Sequence, residues 1–472
     1  MNFISLSFLG FGVVLFALWW ALPARLRPWV LAAANVYFAL SFGAQALTAL
    51  VLITAAGWLC GLWMAHGGGK TALAVGVLAG VLPLAGYKYL PALAGRWQAL
   101  AAFADLLMPV GISFFVFKNI TYLVAVYKGS LAAEKNPLYC FAYTGFFAQL
   151  TSGPIQRAES LLPQLKSPPA FDRALALNGC VRLCWGIFLK KCLADHFAAY
   201  YNALYQPDHY YALSIVWSLA AYSLYIYFDF ASYSQLSIGV ANLLGLRCDE
   251  NFLSPYLSRS VGEFWRRWHI SLSSFLRDYI YIPLGGSRNG VPVLILATMV
   301  TFLVSGAWHG AALGFVVWGG LHGVYLLAGR ATRGVREKAW GLLRQKPGSP
   351  VRSVVSWAVT LVLVCFAWIF FFSGDVNQVR LLMSYLIQPM PLSAQYLKES
   401  FTQLGYTTAV LVRLGLFALA AFGVDFAARK EGFGRWAAAR KGWVQVIFCY
   451  ACIFATLFWG AAGTLQNIYF QF

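Results

Sequence analysis

The sequence predicts an all-α fold, a polytopic membrane bundle of about eleven transmembrane helices with re-entrant or interfacial helices, and three observations carry that prediction. Sixty per cent of the 472 residues are hydrophobic and only 11% are charged, where a soluble domain carries roughly a quarter charged residues. Mean hydropathy is +0.66. Apolar runs recur along the chain, each long enough for a hydrocarbon core that needs about 20 residues of helix. These runs are continuous, which excludes a β-barrel, because barrel strands alternate polar and apolar over roughly ten residues.

Taken in order, apolar runs near 4–22, 29–48, 47–64 and 71–90 give an N-terminal group of short-looped helices. Their Lys70, Lys88 and Arg96 read as loop or interface anchors that snorkel. Residues 107–129 are interrupted by Pro109, Gly111, Ser113, Lys118 and Asn119, so a broken helix facing protein or a wet cavity is expected there. Residues 146–165 hold Gly153-Pro154, Arg157 and Glu159; they read as a re-entrant turn or interfacial helix, with an ordinary loop as the alternative. Spans resume at 177–203 and 211–245, the second with Asp229 among tyrosines and Ser232. A buried acid needs hydrogen-bonding partners, and the expected tie is an arginine of the polar segment that follows. Runs near 292–307, 311–328, 353–372, 407–427 and 443–463 complete the bundle. The chain divides into N-terminal helices (1–105), a core (106–330) and C-terminal helices (331–472) of one domain. It contains no internal repeat of the kind transporters build on.

The formal charge of +19 is spread over short loops rather than gathered on one soluble face, so it argues for membrane topology and against nucleic acid. Residues 330–352 carry seven Lys or Arg and one Glu, and 429–441 carry five and one; both read as cytoplasmic loops. Between them Asp375, Arg380, Lys398 and Glu399 balance, as expected of an external loop. The first apolar run lacks a basic n-region and is followed by Arg25 and Arg27, which predicts a first span rather than a cleaved signal, with both termini outside. The nine cysteines lie mostly in apolar surroundings, including the Cys449–Cys452 pair. They read as small buried side chains, with neither a disulfide framework nor a metal site.

One segment is too polar to span and too aromatic to be a solvated loop: CDENFLSPYLSRSVGEFWRRWHISLSSFLRDYIYIPLGGSRNG, residues 248–290. Read as helical from Ser260, it sets Glu263, Arg266, Arg267 and Ile270 one turn apart, with Phe264, Trp265, Trp268 and Leu272 as an apolar side. Its His269 and the solitary His322, roughly 10 to 12 Å deep at 1.5 Å per residue, are the candidate chemical groups, because ionisable residues at membrane depth mark functional sites. A neutral imidazole can take a proton from a hydroxyl, which makes His322 the candidate base. His269 is then placed to stabilise an oxyanion or orient a thioester acyl donor. Arg266, Arg267 and Arg277, with Trp268, suit a phosphate-bearing donor. Asp229, Asp278, Asn251 and His309 are supporting candidates. The structural alternatives are a packing histidine for His322 and a positive-inside anchor for WRRWH.

The segment ENFLSPYLSRSVGEFWRRWHISLSSFLRDYIYIPLGGSRNG, with SGAWHGAALGFVVWGGLHGVYL and the pieces GIFLKKCLADHFA and IYFDFASYSQLSIG, closely resembles the membrane-bound O-acyltransferase family, bacterial alginate O-acetyltransferase type. The resemblance runs over most of residues 1–330 and is weaker beyond, where hydropathy and the QNIYFQF tail, read as native, agree. It implies that the family's invariant histidine falls on His322 and its second polar position on His269. It implies acetyl-CoA as cytoplasmic donor and no metal. It implies transfer to a periplasmic SGNH-type acetyltransferase partner or directly to an extracytoplasmic polysaccharide such as alginate or cellulose, at the bacterial inner membrane. Within the family, peptidoglycan O-acetylation and teichoic acid D-alanylation are the alternatives. Outside it, a glycan or lipid-precursor transporter and a non-catalytic scaffold remain.

Overall fold

The computed structural model describes residues 3–391 and 393–463, and every regular element among them is helical. The QNIYFQF tail lies outside the described residues. Helices α1 (Leu6–Ala21) and α2 (Arg27–Leu40) open the chain. Next come α3 (Ala44–Trp63) and α4 (Gly69–Ala94), which by length alone would be one 51-residue rod. His66 leaves helical geometry instead, and Gly67 and Gly69 take φ of +97° and +48°, a region glycine enters without a Cβ clash. The chain doubles back there: a Cβ on Gly76 of α4 would lie 3.0 Å from that of Cys60 in α3.

The broken helix expected at 107–129 is whole. Pro109 and Gly111 precede α5 (Ile112–Tyr127) rather than interrupt it, and its polar residues find partners inside the bundle. Lys118 Nζ donates to Gln149 Oε1 (3.1 Å) and Asn119 Nδ2 to Ile53 O (3.2 Å). After α6 (Pro137–Thr144), residues 145–157 run mostly as irregular, buried backbone to α7 (Ala158–Lys166). Such backbone must be satisfied by protein, and it is: Phe147 N donates to Asn35 Oδ1 (2.9 Å), and Tyr143 OH to Gln156 O (2.9 Å).

α8 (Arg173–Phe188) continues through a widened turn at Leu189–Ala194 into α9 (Asp195–Ala198), and α10 (Ala212–Leu243) packs along it. The widened turn delivers Lys190 into the bundle, where Nζ meets Asp229 Oδ1 at 2.6 Å and Asp195 Oδ1 at 2.8 Å. Asp229 is therefore tied to Lys190, not to an arginine of the polar segment. The 32-residue α10 contributes to two hydrophobic cores. One is built mainly on α1–α7, the other on α8, α9 and the C-terminal half of the chain.

That second half comprises α11 (Val261–Arg267), α12 (Ile270–Leu276), α13 (Gly290–His309), α14 (Leu313–Ala331), α15 (Arg333–Leu342), α16 (Pro350–Ser373), α17 (Val376–Leu386), α18 (Ala394–Thr402), α19 (Thr408–Ala428), α20 (Phe433–Ala438) and α21 (Gly442–Trp459). Outward faces carry Leu52, Leu82, Val362, Leu419 and Leu457, all strongly exposed, an exterior suited to lipid and not to water. Among the described residues six helices, counting α3–α4 as one, are long and apolar enough to cross a membrane. This is a multi-pass membrane protein; the expected eleven crossings include helices shorter or more polar than those six. The cysteines are free, Cys449 and Cys452 among them on α21.

Candidate functional site

The polar segment does not form one amphipathic helix. Ser260 caps α11, its Oγ accepting from Glu263 N (3.1 Å) while Glu263 Oε2 accepts from Arg259 N (2.9 Å), an arrangement close to a capping box. After Arg267 the chain leaves the helix, and His269 adopts φ +40°, ψ +57°. For a residue with a Cβ this left-handed geometry costs roughly 1–2 kcal/mol, and it persists only where the surroundings impose it. Here the loop before α11 does so: Leu253 N donates to Arg267 O (3.0 Å) and Ile270 N to Asn251 O (2.9 Å), clamping the chain on both sides of the kink. The result turns His269, 1% exposed, inward, with Nδ1 at 3.1 Å from Asn251 Oδ1.

His322 reaches the same interior from α14, because α13 and α14 approach almost backbone to backbone. A Cβ on Gly319 would lie 2.1 Å from Phe302 O, and one on Gly306 2.2 Å from Phe315 O. Glycine is required at both positions for this approach. Fully buried, His322 is surrounded by Trp265 and Trp318, with ring centroids at 5.1 and 5.2 Å, and by Phe264 at 6.2 Å. Trp265 Nε1 donates to its Nδ1 at 3.1 Å.

His309, the last residue of α13, sits between the other two histidines. Its ring lies 5.2 Å from Trp318 and 4.6 Å from Trp308, and Trp308 is 6.4 Å from His269. His309 is also in electrostatic reach of His269 and Lys88. Lys88 is not a snorkelling loop anchor: its Nζ donates to Trp308 O, and Tyr89 OH donates to Ala307 O (2.6 Å). These bonds satisfy carbonyls that the end of α13 leaves open. One aromatic core thus holds all three histidines. Trp265 was missed by sequence reasoning, although the Trp-Arg-Arg-Trp-His string contains it.

Beside this core, between α11, α14, α15 and α16, opens a cavity of about 950 Å³. Arg259, Arg266, Arg330, Arg333 and Arg336 line it together with Tyr325, whose ring is 5.8 Å from that of His322. Of the residues expected to hold a donor, Arg266 alone borders this cavity. Arg267 pairs with Glu263 (2.7 Å) and donates to Leu253 O (3.0 Å). Arg277 pairs with Asp278 (2.8 Å), which also binds Arg157 (2.9 Å). Trp268 is core, 5.4 Å from Phe264 and 5.2 Å from Trp368. Asp229 and Asp278 are thereby occupied in ion pairs, whereas Asn251 touches His269 directly. In the sequence Arg330, Arg333 and Arg336 read only as loop charge and Arg259 has no assigned role; their convergence needs the fold. Among the described residues no cluster of three or more His, Cys, Asp or Glu is placed to hold a metal.

Residues 128–371, more than half the chain, match the sequence profile of MBOAT, the membrane-bound O-acyltransferase family, and that stretch contains the three histidines and all five cavity arginines. The chain belongs to this family. A probable alginate O-acetylase of Azotobacter vinelandii is 34% identical over 397 residues, covering 80% of this chain and 76% of that protein. Its counterpart from Pseudomonas fluorescens is 38% identical over 282 residues, 57% of this chain and 52% of that protein. A peptidoglycan O-acetyltransferase of Helicobacter pylori is 31% identical over 333 residues, 63% of this chain and 61% of that protein. The chain spans about half the length of the Pseudomonas relatives it matches. In this membrane-bound O-acyltransferase family member, therefore, the matched region carries both the histidine core and the basic cavity.

Proposed function

We propose that the protein is a membrane O-acetyltransferase that takes an acetyl group from acetyl-CoA on the cytoplasmic side and delivers it across the inner membrane. The observation that carries this reading is the arginine-lined cavity ending at Tyr325 against His322. A nucleotide donor bears several phosphates, and arginine guanidinium groups bind phosphate with paired, charge-assisted hydrogen bonds. Arg259, Arg266, Arg330, Arg333 and Arg336 would hold those phosphates, leaving the acyl thioester directed toward the buried histidine core. His322 and His269 would share the work on the hydroxyl proton and on the carbonyl oxygen.

The acceptor in this reading is a hydroxyl of an extracytoplasmic polysaccharide, reached directly or through a periplasmic SGNH-type acetyltransferase. The alginate O-acetylase relatives support it. The peptidoglycan relative, and a teichoic acid D-alanyltransferase of Bacillus subtilis that is 28% identical over 310 residues, support a second reading in which the acceptor is a wall polymer. In this reading both termini lie on the periplasmic side, which the basic composition of the loops at 330–352 and 429–441 supports.

Reconstitution in vesicles with labelled acetyl-CoA tests the proposal. Label should pass to alginate oligosaccharide added on the far side, and His322→Ala should lower the rate by about 100-fold or more, the scale of a lost acid–base group. A folded His322→Ala protein with near-native transfer would overturn it, as would movement of glycan without any acyl donor.

A further inference from the structure

The arginine-lined cavity continues beyond the residues that would meet phosphates. A second cavity of about 270 Å³ adjoins it, and the two share Arg259, Arg333, Arg336, Trp340 and Ser356. Tyr325, the residue against His322, lines the larger one and not the smaller. Glu337 and Arg352 line the smaller and not the larger. Trp340 therefore stands on the boundary of the two spaces.

Its placement follows from helical spacing. Arg333, Arg336, Glu337 and Trp340 recur three and four residues apart along α15, so they share one face. The first turn of α16 brings Arg352 to that face: Ser349 Oγ caps the helix by accepting from Arg352 N (3.4 Å), and the Arg352 guanidinium pairs with both carboxylate oxygens of Glu337, Nη1 donating to Oε2 at 3.0 Å. Arg352 Cζ lies 5.9 Å from the centre of the Trp340 ring, within cation–π range. Ring and ion pair thus brace each other. Half-buried Trp340 sets a flat apolar surface among guanidinium groups, which is what a nucleotide needs: charge for its phosphates and a π-face for its base. An acyl donor carried on a pantetheine arm alone brings a single phosphate and no base. Such a donor would leave Trp340 unused.

We propose that Trp340 is the stacking residue for the purine base of the donor nucleotide, so that the wall formed by α15 selects a free nucleotide thioester over an acyl-pantetheine arm that lacks a base. The inference rests on the acyltransferase reading above. In this arrangement the phosphates lie along Arg259, Arg333 and Arg336, which both cavities share, and the arm runs through the larger cavity toward Tyr325. The stack is remote from the thioester and is made equally before and during the reaction. It therefore acts on KM and not on kcat.

Equilibrium binding of labelled CoA and of labelled pantetheine phosphate to the full chain in neutral phosphatidylcholine vesicles reads this selection without turnover. Native protein should hold CoA at least about tenfold more tightly than pantetheine phosphate, the scale of one base–ring stack. Trp340→Ala should remove most of that preference by weakening CoA alone, and Trp340→Phe should restore much of it. If Trp340→Ala weakens both ligands alike, or neither, the proposal is overturned, because a merely structural ring would not distinguish them. A lipid headgroup could also bring the phosphate, so the measurement is repeated in vesicles containing anionic phosphatidylglycerol. CoA should stay bound and keep its dependence on Trp340; displacement of CoA by the anionic lipid with no such dependence assigns the arginines to a headgroup and overturns the proposal. In the transfer assay, Trp340→Ala should raise the acetyl-CoA KM by a similar factor with kcat close to native. An unchanged KM removes the base site and leaves the acyltransferase reading standing. Absence of transfer by the native protein, with binding as expected, removes that reading and leaves the nucleotide site.

Discussion

At the scale of single residues the most constrained feature outside the histidine core is Lys190, whose ammonium neutralises Asp229 and Asp195 in the bundle interior. Burying ions costs several kcal/mol each, so a pair of this kind adds little net stability, yet removing one partner leaves the others uncompensated. Lys190→Met should lower stability by about 3–5 kcal/mol, measured by denaturant unfolding in detergent, and adding Asp229→Asn should recover part of the loss. The sequence marks Asp229 as needing a partner, because an acid within an apolar run cannot stay unpaired. It does not say which partner, since Lys190 enters only by way of the widened turn at Leu189–Ala194. Asn251 makes the same point: nothing about an asparagine in DENFL announces that its side chain will meet the ring of a histidine 18 residues later.

At the scale of elements, the α13–α14 hairpin brings His309 and His322 into the core because two glycines let its backbones touch. Gly319→Ala would press a methyl against Phe302 O and cost about 1–3 kcal/mol as overpacking. The displacement falls on the helix that positions His322, so transfer should drop by at least about tenfold, since small misplacements at reacting groups are costly. Gly320→Ala, on the same helix with only an ordinary 3.7 Å contact to Leu303 for the added carbon, should leave transfer unchanged; equal effects of the two substitutions would sink the argument. Both helices are legible in the sequence as apolar runs of the right length. The break between α11 and α12 is not, because composition from Ser260 to Leu272 suits one amphipathic helix. What breaks it is a tertiary clamp from Asn251 and Leu253, which no local pattern encodes.

At the scale of the whole molecule, the basic cavity draws on segments far apart in sequence. Arg259 and Arg266 come from the polar segment, and Arg330, Arg333 and Arg336 from the end of α14 and from α15. Hydropathy and loop charge give the membrane class and the basic side of each loop, but convergence of two loops on one cavity is a property of packing. The packing in turn separates arginines that look equivalent in FWRRWH: Arg266 faces the cavity while Arg267 is spent on Glu263 and a carbonyl. If the cavity binds the donor's phosphates, Arg333→Gln with Arg336→Gln should raise the acetyl-CoA KM by about ten- to a hundredfold, the size of one or two lost charged hydrogen bonds. Their kcat should stay close to native, because these contacts are made equally in ground and transition states. The native KM should rise with salt and the double variant's rise less, since fewer screened charges remain. Arg277→Gln, which removes a charge from the Asp278–Arg157 cluster and not from the cavity, should do neither. A KM that responds to Arg277 as strongly as to the Arg333 and Arg336 pair would mean that net charge, and not this cavity, draws the donor in.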